Sequence, residues 1–411
     1  MIFRAFLLPI LLLIHGALCA KPLSENAGFA PNLIIYLAKG PPNSCGPGCD
    51  RWIAVEGKVD QGAAARIRRS LRDVKDTQRP MYLHSPGGSV EQAYAIGRLL
   101  RSRKAVARVG RTIVTACGTE TQVDDACLKI KTGGGEVQAE IATRHAMCNS
   151  ACGYLFLGAT TREVAPDAAM GVHNSRLTLV VHGHPSAQQI AAFTDRSTAR
   201  AERERGSFLG AMGINHEFDD LIRSVKFENL HTLTRPELYR FNIDTRPFAE
   251  TAWTLEAAAR PYIRKIALAK KNDGTSFRTM EWRLFCENRD RARLMFIREF
   301  DKGAAGPNSV IVMAGSEKLV AFGRFPARTG TYEAWSGTVT SNAMKSALAG
   351  PHLQIGEGTL MADGKTNQEI FDIDASGLES AWTQLFVSCP AAPNGVRPAV
   401  AAPSLTPAPA P

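Results

Sequence analysis

Between residues 32 and 244, short apolar runs alternate with amphipathic stretches. NLIIYL (32–37), WIAV (52–55), RPMYL (79–83) and AVARV (105–109) read as strands, while Ile67, Leu71 and Val74 mark one face of a helix that Asp60 can cap. The alternation continues with helices over 90–101 and 151–159, and with short strands over 163–165 and 170–173. A long charged helix over 186–212 and another from about 216 to 225 follow. Repeated strand–helix units predict an α/β layer with parallel strands. The stretch 112–137, with its glycine triplet 133–135, reads as an insertion in that layer.

From about Arg278 the period changes. RTMEWRLFC, RARLMFIREF, SVIVMAG, KLVAFGR, YEAWSGTVT, HLQIGEGTL and QEIFDID are short alternating strands, and an amphipathic helix over 378–387 closes the region. That pattern predicts a separate antiparallel, β-rich C-terminal domain over 278–389. Residues 390–411 are rich in alanine and proline and have nothing to bury, so they are expected to stay extended and disordered.

Composition adds compartment and excludes some partners. Residues 1–20 (MIFRAFLLPILLLIHGALCA) carry an early arginine, an apolar run and small residues at Ala17 and Ala20, the form of a secretory signal peptide. Lipid attachment at Cys19 is the rival reading. No other apolar stretch is long enough to cross a bilayer, so the mature chain is expected to be periplasmic or secreted with no transmembrane segment. The net charge of +10 bunches at RIRRSLRDVK and RAERER, both at helical spacing and without interleaved aromatics, which speaks for solvated faces and against nucleic acid.

Eight cysteines remain after Cys19, an even number that suits disulfides in an oxidising compartment. Cys45 and Cys49 flank a short Gly-Pro-Gly loop, Cys117 and Cys127 bracket a polar stretch, and Cys286 and Cys389 bracket the C-terminal region. Cys148 and Cys152, four apart on one expected helix, read either as core fillers or as partners of Cys117 or Cys127. A zinc site at CGPGC lacks a second ligand pair, and His182 and His184 lack neighbouring acidic or cysteine ligands, so no metal is expected.

The candidate chemistry lies in two stretches. HSPGGSVEQA (84–93) places a proline and two glycines at a strand end, with Ser89 and Gln92 as a capping box opening the next helix; glycines there can present bare N–H groups to a ligand. Ser150 stands at the mouth of an apolar helix, and His173 follows in a short extended run. A hydroxyl needs such a base to become a nucleophile in acyl transfer. Ser150 as a plain helix cap and His173 as a satisfied interior residue are the simpler alternatives.

The series WIAVEGKVDQGAAARIRRSL, RPMYLHSPGGSVEQAYAIGRLL, MCNSACGYLFLGA and APDAAMGVHN resembles, in order and spacing, the Clp protease proteolytic-subunit family of the crotonase-like superfamily, and in its cysteine-flanked serine the exported bacterial periplasmic relatives. The resemblance spans residues 32–244. It implies layered strand–helix repeats and a Ser-His peptidase site without cofactor: Ser150 the nucleophile, His173 the general base, and the N–H of Ala151 with that of Gly87 or Gly88 the oxyanion hole. It further implies peptide or protein substrates and homo-oligomeric assembly. With no P-loop in the chain, such a peptidase would be ATP-independent.

Two departures stand out. His84 replaces the family's usual asparagine before SPGG. At the family's third, acidic position the alignment gives Leu230, with Asn229 and Glu228 beside it and Asp219 or Asp220 as substitutes; Asn229 is the first choice. That gap keeps open a catalytically inactive scaffold or binding protein of the cell envelope. An acyl-CoA enzyme is a weaker third reading, because coenzyme A is intracellular.

Overall fold

In WIAVE, Trp52 and Ala54 pack into one apolar cluster and Ile53 and Val55 into another. Side chains alternate across a strand, so this strand is covered on both faces, which explains its unbroken apolar run. The strand is β2 (Arg51–Glu56), which follows β1 (Ile34–Lys39) and leads through α1 (Ala63–Asp73), β3 (Met81–His84), α2 (Val90–Ser102) and β4 (Val106–Val109). The computed structural model describes residues 29–118, 121–178, 183–300, 309–322, 326–360 and 366–391. The expected signal peptide, His182 and nearly all of the Ala/Pro tail lie outside the described residues.

Next come β5 (Arg111–Val114), α3 (Asp125–Thr132), β6 (Glu136–Ala142), β7 (Met147–Asn149), α4 (Ala151–Leu157), β8 (Thr161–Val164) and β9 (Ala169–Val172). One seven-stranded sheet has the order β5-β6-β1-β2-β3-β4-β8. Neighbours from β2 to β8 run parallel, while β1 is antiparallel to β2. The expected insertion holds β5 and α3 and runs into β6, which adds to β1 in parallel while β5 returns antiparallel to β6. Gly134 and Gly135, at φ +86° and +79°, make the turn into β6.

A second, three-stranded sheet carries the site. Its order is β10-β9-β7, with β10 at His231–Thr232 reached through α5 (Ala187–Ala211) and α6 (Glu217–Ser224), and α7 (Arg235–Arg240) follows. In α5 the buried residues, Arg205, Phe208 and Leu209, all lie near its C-terminal end. Among the described residues no helix is long and apolar enough to cross a membrane.

Among the described residues the rest is antiparallel β structure with two helices. β11 (Phe248–Glu250), β12 (Thr254–Glu256), β13 (Tyr262–Lys270), β14 (Phe277–Asn288) and β15 (Arg291–Glu299) precede β16 (Ser309–Ala314), β17 (Glu317–Phe322), β18 (Ala327–Thr329) and β19 (Tyr332–Thr340). After α8 (Ser341–Ala349) come β20 (His352–Leu360), β21 (Thr366–Asp374) and α9 (Leu378–Val387). The larger sheet runs β11-β13-β14-β15-β19-β18 with β12 on β13, and a four-stranded sheet runs β17-β16-β20-β21. The larger sheet thus begins at Phe248, upstream of Arg278. Trp282, Phe296 and Trp335 stack through its core with ring centroids 5.3 and 5.6 Å apart.

Candidate active site

The SPGG turn and the serine elbow meet backbone to backbone. Ser85 N–H donates to Met147 O (2.9 Å) and Asn149 N–H to Ser85 O (3.0 Å), which lays the end of β3 against β7. Gly87 then passes so close that a Cβ on it would lie 2.7 Å from Asn149 O, 2.8 Å from Ser150 Cβ and 3.0 Å from Ala151 N. With φ at +101°, this position needs glycine for both its space and its conformation.

Of the two glycine N–H groups, that of Gly87 already donates to Ser85 Oγ at 3.1 Å. The contact between Val59 and Gly88 uses Gly87 O and Ser89 N–H, and leaves the Gly88 N–H out. Ser89 caps α2 by accepting from Gln92 N–H, but Gln92 does not close the expected capping box. Its side-chain oxygen accepts from Ala64 N–H at 3.1 Å.

Ser150 occupies the N-cap position of α4 without acting as a cap. Its backbone sits at φ +55° and ψ −123°, and its side chain makes no capping bond. Serine's usual gain at a helix start, about 1 kcal/mol, is not taken, and the conformation itself costs on the order of 1–3 kcal/mol for a residue with a Cβ. The elbow is held by Ser150 N–H to Gly171 O (2.8 Å), Gly153 N–H to Ser150 O (2.9 Å) and Gly171 N–H to Asn149 Oδ1 (3.0 Å). Behind it the N–H of Ala151, in the first turn of α4, belongs to the positive end of the helix.

His173 follows β9 directly, and β9 pairs in parallel with the strand that delivers Ser150. Both residues line one small, mostly apolar pocket, walled by Tyr154, Leu157, Phe218 and Ile222. The His173 ring lies 4.9 Å from that of Phe227.

The third position is less complete. Asn229 is exposed, and its N–H donates to Lys226 O. Glu228 is exposed too and paired with Arg176 at 2.6 Å; its carboxyl lies below the usual range through a bond from its own N–H, then through Arg176, with the charge of His173 a smaller cause. Asp219 is taken by Arg205 at 2.5 Å, and Arg205 also reaches Asn174 Oδ1 at 3.4 Å. Asp220 pairs with Arg223. Arg205 thus links Asp219 to Asn174, the residue next to His173.

All eight cysteines expected to survive export form disulfides: Cys45–Cys49, Cys117–Cys127, Cys148–Cys152 and Cys286–Cys389. The CGPGC pair considered for zinc is thus an S–S bond. Cys148–Cys152 corrects the reading of two residues on one helix. Cys148 belongs to β7 and Cys152 to α4, and the sharp bend at Ser150 between them brings their Cα atoms to 5.1 Å, within bridging range.

His84, expected to change only local hydrogen bonding, ties two strands together. Its Nδ1 accepts from Met147 N–H at 3.2 Å, tying β3 to β7, so the ring is neutral with Nδ1 unprotonated. Burial first, then Arg111 and Lys131, hold its pKa down to about 3. Between there and the ordinary value near 6.5 the unfolded chain takes up a proton that the folded one refuses, so stability falls as pH falls through this window. Wild type should therefore lose about 2 kcal/mol more than His84→Asn between pH 6 and pH 4. Urea unfolding at the two pH values checks it; equal losses would mean that His84 is protonated in the native protein.

No protein-family model matches the chain, and no curated protein matches it. Among solved structures, a mutant of a membrane-bound stomatin-specific protease is similar at TM-score 0.28 and 12% identity, covering 46% of this chain and 73% of that one. A ClpP1 mutant from Listeria monocytogenes is similar at TM-score 0.27 and 15% identity, over 46% of this chain and 85% of that one. Invasion associated protein b from Bartonella henselae stands at TM-score 0.26 and 11% identity, over 34% of this chain and 96% of that one. At these values neither activity nor substrate passes from those proteins to this chain.

Proposed function

We propose that the protein is an exported, ATP-independent serine hydrolase acting on peptides, with Ser150 as nucleophile and His173 as general base. The observation that carries this is the serine at the start of α4, which forgoes its capping bond, holds a penalised backbone conformation and shares a pocket with a histidine. Four disulfides among the described residues suit an oxidising compartment. In this reading the α/β unit carries the chemistry, and the β-rich unit beginning at β11 binds a substrate or partner.

The reaction runs as follows. His173 takes the Ser150 proton as Oγ attacks the substrate carbonyl, and the tetrahedral oxyanion is held by the N–H groups of Ala151 and Gly88. Collapse expels the amine, which leaves with the proton from His173, and water releases the acyl group by the reverse sequence. Asn229 is the proposed orienting partner of the imidazole. An amide stabilises imidazolium less than a carboxylate does, so a modest turnover follows.

A fluorophosphonate probe should form an adduct on the tryptic peptide that contains Ser150, and Ser150→Ala should carry none. Equal labelling of the two proteins, or none of the wild type, rejects the hydrolase. The second reading, a non-catalytic envelope scaffold, is favoured by the exposed position of Asn229. A peptide-hydrolysis rate abolished by His173→Ala would dispose of it.

A further inference from the structure

Ser150 lies at the centre of CNSAC, and the two cysteines of that motif are bonded to each other across it. Both are fully buried, in the core that also holds Ala151, Tyr154 and Met170. Cys148 is further fixed by its bridge to Ser85, the first residue of the SPGG turn. One covalent bond therefore joins the strand before the serine to the helix after it, and touches the turn that supplies the glycine amides. The hydrogen bonds around Ser150 fix single peptide groups; the disulfide fixes the angle between β7 and α4.

We propose that the Cys148–Cys152 disulfide is a positioning device that holds Ser150 in its reactive backbone conformation, so that the site works only while this bond is intact. The inference rests on Ser150 being the nucleophile. Reduction by a dithiol delivers two electrons and two protons: the S–S bond breaks, two thiols form, and the dithiol closes to its own disulfide. Two thiols cannot remain at bonding distance, so the sulfurs must separate by about 1.5 Å or more. In a close-packed core that displacement has nowhere to go except into the elbow.

The test compares three full-length proteins: wild type, Cys148→Ala/Cys152→Ala, and Cys45→Ala/Cys49→Ala, which removes a loop disulfide of the same span ahead of β2. The clamp variant should label with fluorophosphonate at least 10-fold more slowly and lose kcat on an ester substrate with KM unchanged, while the control stays within 2-fold. In its crystal structure Ser150 should leave positive φ. Wild-type labelling by the clamp variant, or a Ser150 that keeps positive φ in it, overturns the proposal. If wild type itself does not label, the hydrolase reading fails and the φ of Ser150 alone decides the clamp. Should the clamp variant not fold, wild type is reduced stepwise with dithiothreitol and its thiols mapped by alkylation. Activity of unalkylated aliquots must then fall as Cys148 and Cys152 become open to alkylation in parallel aliquots, and return when the unalkylated protein is reoxidised; loss that tracks other cysteines overturns the clamp.

Discussion

Ser150→Ala, His173→Ala and the variant carrying both changes should each lose about 10⁴-fold or more of the wild-type hydrolytic rate and converge on one residual value. The two side chains act as one unit: without the imidazole the hydroxyl keeps its proton, and without the hydroxyl the imidazole has nothing to activate. Multiplicative losses in the double variant would mean independent contributions, and the shared pocket would then not be a catalytic pair. The residual rate measures what Ala151 and Gly88 contribute alone, because neither substitution touches their N–H groups. Steady-state kinetics on a peptide ester measures all four proteins, and a His173→Ala rate close to wild type would end the Ser-His reading.

What the sequence made legible was whatever writes itself in apolar period. WIAVE is continuous because both faces of β2 are covered, and Ile67 and Leu71 lie buried on one face of α1 as their spacing implies. β6 escaped although it pairs on both sides, because EVQAEIA buries only Ala139. α8 escaped because it sits between two long strands and announces itself only through the Thr340 cap, which accepts from Ala343 N–H. α8 carries no strong period, whereas β6 does alternate polar with apolar residues from Glu136 to Ile141, and reading 112–137 as an insertion cut that run in two.

The site was legible as residue types and illegible as geometry. CNSAC and SPGG lie against each other in the fold, yet nothing in the letters says that the chain bends at Ser150 with positive φ, a conformation expected of glycine. Reading CNSAC as the start of one helix separated Cys148 from Cys152; the bend unites them. Asp219 shows the complementary failure. It stood as a possible orienting acid, but Arg205, buried beside Phe208 and Leu209 on α5, claims its carboxylate, and a charged residue inside RAERER gives no sign of being buried.

Arg298→Met should destabilise the β-rich unit by about 3–5 kcal/mol. Arg298 is buried and reaches Glu357 Oε2 at 2.6 Å and Glu333 Oε2 at 3.4 Å; Glu333 has a second partner in Arg328 at 2.8 Å. Removing the guanidinium therefore strands chiefly Glu357, whose pKa is already raised by burial against the opposing pull of Arg298 and Arg278. With Arg298 gone it rises further. A folded pKa above the unfolded one means that the native state holds the proton longer, so the penalty is largest at neutral pH and shrinks as acid protonates the carboxyl. Loss of stability in Arg298→Met should accordingly be greater at pH 7 than at pH 5. Arg298→Met/Glu357→Met, which leaves no unpaired charge at that contact, should recover most of it. Urea unfolding followed by tryptophan fluorescence reads this unit directly, because Trp253, Trp282, Trp335 and Trp382 all lie within it and Trp52 alone lies outside. A loss that is equal at both pH values would show that Glu357 stays protonated throughout and that Arg298 holds the sheets together by packing against Trp335, 5.9 Å away, instead of by charge.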